Sequence, residues 1–145
     1  MFTTILVPTD GSELAEKAAT AAVEFARRNG GRIIGLCVAE PYPYSPLAEP
    51  VFLPNAEVYE REAQQWAQTT VQRIAAMASQ AGVPCETSTA LSPDPSEEIV
   101  RTAAERGCDV IFIASHGRRG LSRMLLGSVT QKVLVLSKIP VLVFR

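Results

Sequence analysis

Short runs of apolar residues alternate along this chain with longer segments in which apolar residues recur every three or four positions. Continuous β-branched and aliphatic runs of about four to eight residues are typical of buried strands, whereas the longer spacing places apolar side chains on one face of a helix. The third run alternates with polar residues and is the weakest. The pattern predicts five strands, at 5–7, 33–38, 85–91, 110–113 and 141–144.

Capping residues mark where the predicted helices begin and end. Ser12 is suited to the N-cap of the first helix, and Gly30 is suited to the position after its end. Ser128 and Gln131 fit the capping-box pattern of a helix start. The helices are therefore predicted at Ser12–Arg28, at about Glu57–Ala81, from near Ser96 and from near Ser128.

Strictly alternating strands and helices predict an α/β fold, with an open, mostly parallel five-stranded sheet and helices on both faces. In such sheets the carboxyl ends of the strands share one edge, and ligands bind where the strand order reverses. Three segments should meet at that edge: Pro8–Ser12, Val38–Pro41 and Ala114–Gly117. Residues 40–56 also leave this edge, and their many prolines predict a non-helical loop, which is either a partly mobile lid or partner surface or a passive surface loop.

The segment from Asp109 to Thr130 has the composition of a phosphate-binding loop between a strand and a helix. Gly117 and Gly120 allow unusual backbone conformations and the approach of amides to an anion, and a helix starting after Gly127 presents free N–H groups. Alternatively, Ser128 only caps the helix and the basic residues form a solvated face. The positive charges of the segment belong to Arg118, Arg119 and Arg123.

Composition narrows the class of protein. The 145 residues match one domain, expected to span 1–145, and 14 Lys and Arg against 15 Asp and Glu give no overall field for nucleic acid or an anionic membrane. We expect a cytoplasmic protein, because no segment resembles a signal peptide or reaches the ~20 apolar residues of a membrane span. Cys37, Cys85 and Cys108 are too far apart for a metal motif and are expected to be buried or half-buried thiols, with redox sensing or an intermolecular disulfide left open.

Other nucleotide and phosphate motifs are missing from the sequence. It contains neither G-x-x-x-x-G-K-S/T nor a G-x-G-x-x-G after the first strand. A receiver domain would be similar in size, but it needs an Asp at the end of the third strand, where this chain has Leu91, and a Lys after the fifth, where it ends at Arg145.

Over its whole length the chain resembles a single-domain universal stress protein. Near its start it carries I-L-V-P-T-D-G-S, and near its end S-K-I-P-V-L-V. The segment from Ala104 to Ile111, which leads into the fourth strand, also resembles the corresponding segment of the family. The family's nucleotide-binding pattern, G-x-x-G-x9-G-S/T, aligns with Ala114, Gly117, Gly127 and Ser128. Ala114 departs from the pattern, because the family has glycine there. The resemblance implies a Rossmann-like sheet of strand order 3-2-1-4-5.

The resemblance also implies a stress-response or regulatory protein that binds ATP or a related adenine nucleotide, with Mg²⁺ held by the phosphates. The first loop and Val38 would lie near the adenosine, and the glycine pattern near the ribose and phosphates. The implied binding residues are Pro8, Thr9, Asp10, Val38, Ala114, Ser115, Gly117, Gly127, Ser128 and Val129.

Two further expectations concern activity and assembly. Asp10 and His116 lie near the expected phosphates, but no Lys or second carboxylate accompanies them, so we expect no catalytic residues and at most slow ATP hydrolysis. The apolar strand from Val141 to Phe144 is expected at a sheet edge and predicts a homodimer. The alternative function is a nucleotide-free interaction module in which Ala114 impairs the pocket.

Overall fold

Five strands and four helices alternate in the residues described by a computed structural model of the chain, which are 2–43, 54–118 and 125–145. Within these residues no helix is both long and apolar enough to cross a membrane. The elements are β1 (Thr4–Pro8), α1 (Glu13–Asn29), β2 (Arg32–Ala39), α2 (Pro54–Gln80), β3 (Cys85–Leu91), α3 (Pro95–Glu105), β4 (Val110–Ala114), α4 (Ser128–Leu136) and β5 (Val141–Phe144).

The strands form one parallel sheet of order β3-β2-β1-β4-β5, which confirms the predicted fold class and strand order. The order reverses between β1 and β4. These two strands pair only at Ile5 with Val110 and Leu6 with Ile111, whereas β1 pairs with β2 from Thr4 to Pro8. The switch point therefore opens towards the carboxyl edge of the sheet.

Two apolar layers cover the sheet, because successive strand residues point to opposite faces. On one face, Ile5 and Val7 lie in a cluster with the small residues of α1 and with Ile74 of α2. On the other face, Leu6 and Ile113 lie in a cluster with residues of α3 and α4. The two pairs of helices therefore lie on opposite faces, and their N-terminal ends surround the carboxyl edge.

The first helix begins and ends as the capping residues predict. The Ser12 hydroxyl accepts a hydrogen bond from the Ala15 N–H at 3.2 Å, and Gly30 adopts a left-handed conformation with φ of 66°. The N–H of Gly30 donates to the Ala26 carbonyl and so satisfies one of the last free acceptors of α1. Local sequence is sufficient to define this element.

The prediction that all of 40–56 is non-helical is wrong at its C-terminal end. Helix α2 already begins at Pro54, because proline has no N–H to lose and a suitable φ in the first turn of a helix. Residues 44–53, on which the lid hypothesis depends, lie outside the described residues.

Candidate functional site

A cavity of about 560 Å³ opens at the carboxyl edge of the sheet, between α2 on one face and the N-termini of α3 and α4 on the other. It lies at the reversal of strand order, where an open α/β sheet is expected to bind its ligand. Of the ten residues implied by the resemblance, all but Ser115 line it. They are Pro8, Thr9, Asp10, Val38, Ala114, Gly117, Gly127, Ser128 and Val129.

Asp10 joins the turn after β1 to the segment after β4. One carboxylate oxygen accepts the Ser12 N–H at 3.0 Å, and the other accepts the Arg118 N–H at 2.8 Å. Gly11, between Asp10 and Ser12, has a φ of 79°, which a side chain would strain. The carboxylate is therefore a fixed part of the cavity wall, held by two backbone donors.

Gly117 is required for space and not for an unusual backbone angle. It is not among the positive-φ glycines of the described residues, and a Cβ built at this position would lie 2.0 Å from Oδ2 of Asp10. The prediction that Gly117 supplies a special conformation is therefore wrong, because the limit is the Asp10 side chain packed against its Cα. Gly120, Arg119 and Arg123 lie outside the described residues.

Gly127, and not Ser128, is the N-cap of α4. Its N–H donates to the Ser115 carbonyl at 2.7 Å, and a Cβ here would lie 3.2 Å from that same oxygen. Ser128 is consequently the first helical residue, so the capping-box prediction is wrong. The Gln131 side chain instead donates to the Leu126 carbonyl at 2.7 Å.

The first turn of α4 has the geometry of an anion-binding site. The N–H groups of Ser128, Val129 and Thr130 have no carbonyl four residues earlier in the helix to bond to, and all three residues line the cavity. Free N–H groups and the positive end of the helix dipole both favour a negatively charged ligand. The arrangement can hold a phosphate or another anion by backbone alone.

Ala114 is the last residue of β4 and has no backbone strain. No described residue other than glycine has a positive φ, and Ala114 pairs with Phe144 in the regular parallel register. Its carbonyl accepts a buried hydrogen bond from the Thr130 hydroxyl at 2.7 Å. The methyl group therefore lines the cavity in ordinary strand geometry, and β4 is joined at this residue to the start of α4.

Ser115 is the implied binding residue that does not line the cavity. Its N–H donates to the Phe144 carbonyl at 2.7 Å, its carbonyl accepts from Gly127, and its hydroxyl lies 3.1 Å from Nδ1 of His116. With 4% of its surface exposed, Ser115 connects β5, α4 and the loop after β4. His116, by contrast, lines the cavity.

Helices α2 and α3, on opposite faces of the sheet, contribute lining residues that the sequence analysis did not predict. Arg118 stacks on Trp66, with its guanidinium carbon 4.1 Å from the ring centroid. Trp66 lies within the predicted second helix, but its position in the sequence alone does not show that α2 reaches the loop after β4. The missed lining residues of these two helices are Tyr59, Glu62, Ala63, Trp66, Pro95 and Ile99.

Burial favours the neutral thiol form of all three cysteines. Burial raises the pKa of Cys37 to about 12, the negative charge of Asp10 raises it further, and Arg118 opposes both effects. Burial also raises the pKa of Cys108 to about 11, and it raises the pKa of the half-buried Cys85. Cys37 is the cysteine whose pKa is affected by the charges of the cavity residues Asp10 and Arg118. Because its thiol stays protonated at neutral pH, thiolate chemistry is disfavoured there.

Over 2–43, 54–118 and 125–145, no group of three or more His, Cys, Asp or Glu side chains is arranged to hold a metal ion. The carboxylates that line the cavity belong to Asp10, Glu40 and Glu62.

Solved structures with this fold include nucleotide complexes of universal stress proteins. One contains cAMP, one from Archaeoglobus fulgidus contains dAMP, and one from Arabidopsis thaliana has AMP bound. They are 24%, 20% and 18% identical to this chain, with TM-scores of 0.65, 0.60 and 0.68, so the likeness shows a shared fold.

More similar proteins cover nearly the full length of the chain. The universal stress protein YxiE of Bacillus subtilis is 34% identical, and the match spans 100% of both chains. The solved structure of MJ0577 from Methanocaldococcus jannaschii is 31% identical, with a TM-score of 0.79, over 99% of this chain and 96% of that one. UspA from Lactobacillus plantarum is 27% identical, with a TM-score of 0.82, over 99% and 98%. The universal stress protein family model matches residues 1–145, and the chain belongs to that family.

Proposed function

We propose that this chain is a cytoplasmic regulatory protein of the stress response that binds ATP, or a related adenine nucleotide, in the cavity at the carboxyl edge of the sheet. The observation that carries the proposal is the first turn of α4, which presents its N–H groups to the cavity beside Gly127. Because Gly127 has no side chain, a phosphate could approach the backbone N–H groups at the start of α4.

The dimensions and lining of the cavity fit a nucleotide. A volume of about 560 Å³ is within the range of roughly 300–1,000 Å³ usual for small-molecule pockets. In this proposal the adenosine lies against Pro8, Thr9 and Val38, and the phosphates lie at the start of α4. Mg²⁺ would be held through the phosphates, which supply the oxygen ligands it prefers.

The nucleotide complexes of the more distant family members support an adenine nucleotide as the class of ligand. The choice of ATP among adenine nucleotides follows from the implied binding pattern of Gly117, Gly127 and Ser128 and is part of the proposal. The geometry of Ala114 also supports binding. Its ordinary strand conformation excludes backbone strain as a way in which Ala114 could impair the pocket, which is what the alternative of a nucleotide-free interaction module supposes.

We further propose that the protein binds its nucleotide without rapid turnover. Both oxygens of Asp10 accept backbone N–H groups, which suits a positioning role better than that of a general base. Nδ1 of His116 is in contact with the Ser115 hydroxyl. The expectation that no second carboxylate accompanies them is wrong, because Glu40 and Glu62 also line the cavity. Within the described residues, however, neither Asp10 nor His116 is hydrogen-bonded to a carboxylate or a lysine, so we expect hydrolysis to be slow.

Calorimetric titration with ATP and Mg²⁺ tests the proposal directly. The parent protein should bind, and Gly127→Val should abolish binding, because its side chain would be forced against the Ser115 carbonyl and the backbone of His116 and would displace the N-cap of α4. Thermal unfolding of both proteins controls for loss of the fold. Absence of heat with the folded parent would refute nucleotide binding, and fast release of phosphate would refute the non-enzymatic role.

Assembly through β5 is the second part of the proposed function. β5 is an edge strand, and such strands offer unpaired N–H and C=O groups to another chain. Leu142 on β5 is 47% exposed, and Leu134 and Leu136 on the neighbouring α4 are also exposed. An apolar groove of about 430 Å³ beside β5 adds surface for burial. These features support a homodimer formed by β5 of two chains.

A further inference from the structure

The charges that line the cavity are unfavourable for a phosphate unless one cation offsets them. Carboxylates of Asp10 and Glu62 line it, and each phosphate adds negative charge. The N-terminus of α4 supplies only about half an elementary charge. Among the described lining residues, Arg118 is the single lysine or arginine. It is therefore the side chain best suited to balance a bound phosphate.

Arg118 is held in position at both of its ends. Its backbone N–H donates to Asp10 at 2.8 Å, and its guanidinium carbon lies 4.1 Å from the centroid of the Trp66 ring. This distance is well inside the ~6 Å range of a cation–π interaction. The side chain therefore has a defined direction although it belongs to an exposed residue.

Stacking leaves the guanidinium able to bind an anion. Cation–π contact uses the face of the guanidinium, whereas its N–H donors point outwards in its plane and match two phosphate oxygens. Within the described part of the chain, Arg118 forms no ion pair with a carboxylate. Its charge and its donors thus remain available to a ligand.

Trp66 is a rigid support for this contact. Its ring packs against a buried cluster formed by Cys37 and Ala39 of β2 with Ala67 and Val71 of α2. These neighbours belong to the sheet and to the helix that covers it, so they fix the plane on which the guanidinium rests. Preorganisation of this kind reduces the entropy lost when an arginine side chain binds a ligand.

We propose that Arg118 is the side chain that recognises the phosphate of the bound nucleotide, and that Trp66 is its positioning residue. The inference rests on the proposed nucleotide site and deepens it, because it separates recognition of the phosphate from recognition of the adenosine. Arg118 acts only on the charged part of the ligand. Trp66 acts through the orientation of Arg118.

Comparison of ATP with adenosine tests the role of Arg118. In calorimetry, Arg118→Ala should bind ATP at least roughly tenfold more weakly, because a charge-assisted hydrogen bond is lost, while binding of adenosine is unchanged. Arg28→Ala is the matched control, since it removes the same charge from an exposed residue at the end of α1. That control should bind both ligands as the parent does.

Trp66 is tested by two substitutions with different effects on stacking. Trp66→Phe keeps an aromatic face and should retain most of the affinity for ATP, whereas Trp66→Leu should lose a large part of the effect seen in Arg118→Ala. Neither should alter binding of adenosine. If Trp66→Leu weakens adenosine as much as ATP, the positioning role is wrong and the ring contacts the nucleoside instead.

Failure of this inference is distinguishable from failure of the proposed function. If the folded parent binds neither ATP nor adenosine, the proposed function is wrong and the inference falls with it. If the parent binds ATP, but Arg118→Ala retains full affinity or loses ATP and adenosine equally, the nucleotide site stands and the role of Arg118 is refuted. An equal loss in Arg28→Ala would also refute it, because the effect would then be one of net charge.

Discussion

Gly117 and Ala114 lie three residues apart at the end of β4 and are limited by different neighbours. At Gly117 the Asp10 carboxylate fills the place of a Cβ, whereas Ala114 carries its methyl group in regular strand geometry. Sequence comparison with the family pattern draws attention to Ala114. The contacts show that Gly117 is the more sensitive position.

Gly117→Ala should destabilise the protein and weaken ATP binding. The new methyl group would start 2.0 Å from Asp10 Oδ2, so the carboxylate must move and lose its bond to the Arg118 N–H. We expect a loss on the order of 1–3 kcal/mol in the free energy of unfolding, measured with urea.

Ala114→Gly is the matched control for that substitution. It should leave affinity for ATP unchanged and lower stability by only about 0.5–1 kcal/mol, through the greater freedom of glycine in the unfolded chain. A clear gain in ATP affinity in this variant would show that the Ala114 methyl group does obstruct the ligand.

The raised thiol pKa of Cys37 predicts a loss of stability in alkali. A solvent-exposed cysteine thiol has a pKa near 9.0, whereas burial raises the pKa of Cys37 to about 12. Between these values the unfolded chain releases a proton that the folded protein retains, so the free energy of unfolding falls as pH rises. Below pH 9 this contribution is fully present.

Urea unfolding between pH 8 and pH 11 measures the effect of Cys37. The parent should lose stability with a steeper slope than Cys37→Ala, by at most about 1.4 kcal/mol per pH unit. Cys85→Ala is the comparison variant and should reduce the slope by less than Cys37→Ala does, because burial raises the pKa of Cys85 too but this residue is only half-buried. Equal slopes in the parent and Cys37→Ala would contradict the prediction.

At the scale of elements, α4 is joined to β4 by two hydrogen bonds. The Gly127 N–H donates to the Ser115 carbonyl, and the Thr130 hydroxyl donates to the Ala114 carbonyl. Both bonds fix where the first turn of α4 lies relative to the sheet. The position of the N–H groups in the first turn of α4 therefore depends on the Thr130 side chain, which the nucleotide-binding pattern does not include.

Thr130→Val should destabilise the protein by about 1–3 kcal/mol, because the hydroxyl is replaced by a methyl group of similar size and the buried Ala114 carbonyl loses this partner. Affinity for ATP should fall with it as the helix start becomes less fixed. Thr130→Ser retains the hydroxyl and should preserve affinity. If Thr130→Val binds ATP as well as the parent does, the amides of α4 are positioned by the Gly127 bond alone.

Elements with strong local signals could be predicted from the sequence, and those fixed by distant contacts could not. The strands follow from their apolar runs, and α1 from Ser12 and Gly30. The start of α4 near Ser128 was predicted correctly, but its N-cap was assigned to Ser128 and not to Gly127, because the packing of Gly127 against Ser115 is a contact between segments separated by a loop. The contribution of Trp66 was missed because it depends on where α2 lies against the sheet.

At the scale of the whole molecule, the two edges of the sheet differ in character. β3 is mostly polar and half-buried, whereas β5 is a short apolar strand next to the exposed Leu134, Val135 and Leu136 of α4. Polar edges resist pairing, and apolar edges favour it. Assembly is therefore expected at the β5 edge.

Leu142→Lys should convert a dimeric parent to a monomer, because a charge would be buried at the centre of the proposed interface. Light scattering at micromolar concentration measures the mass directly. Val58→Lys is the control, since Val58 on α2 is 50% exposed and Leu142 is 47% exposed. A monomeric parent, or a dimer in Leu142→Lys, would contradict the assignment of β5 as the interface.

The short pairing of β1 with β4 has a mechanical consequence. These strands share two register pairs, at Ile5 with Val110 and Leu6 with Ile111, while β2 and β3 share seven, from Ile33 to Ala39. A force that pulls the two halves of the sheet apart should therefore open the seam between β1 and β4 first. The cavity lies above this seam and is lined by residues from both sides, so a molecule bound there would contact both halves of the sheet and hold them together. Ligand occupancy would then set how strongly the two halves of the chain resist separation.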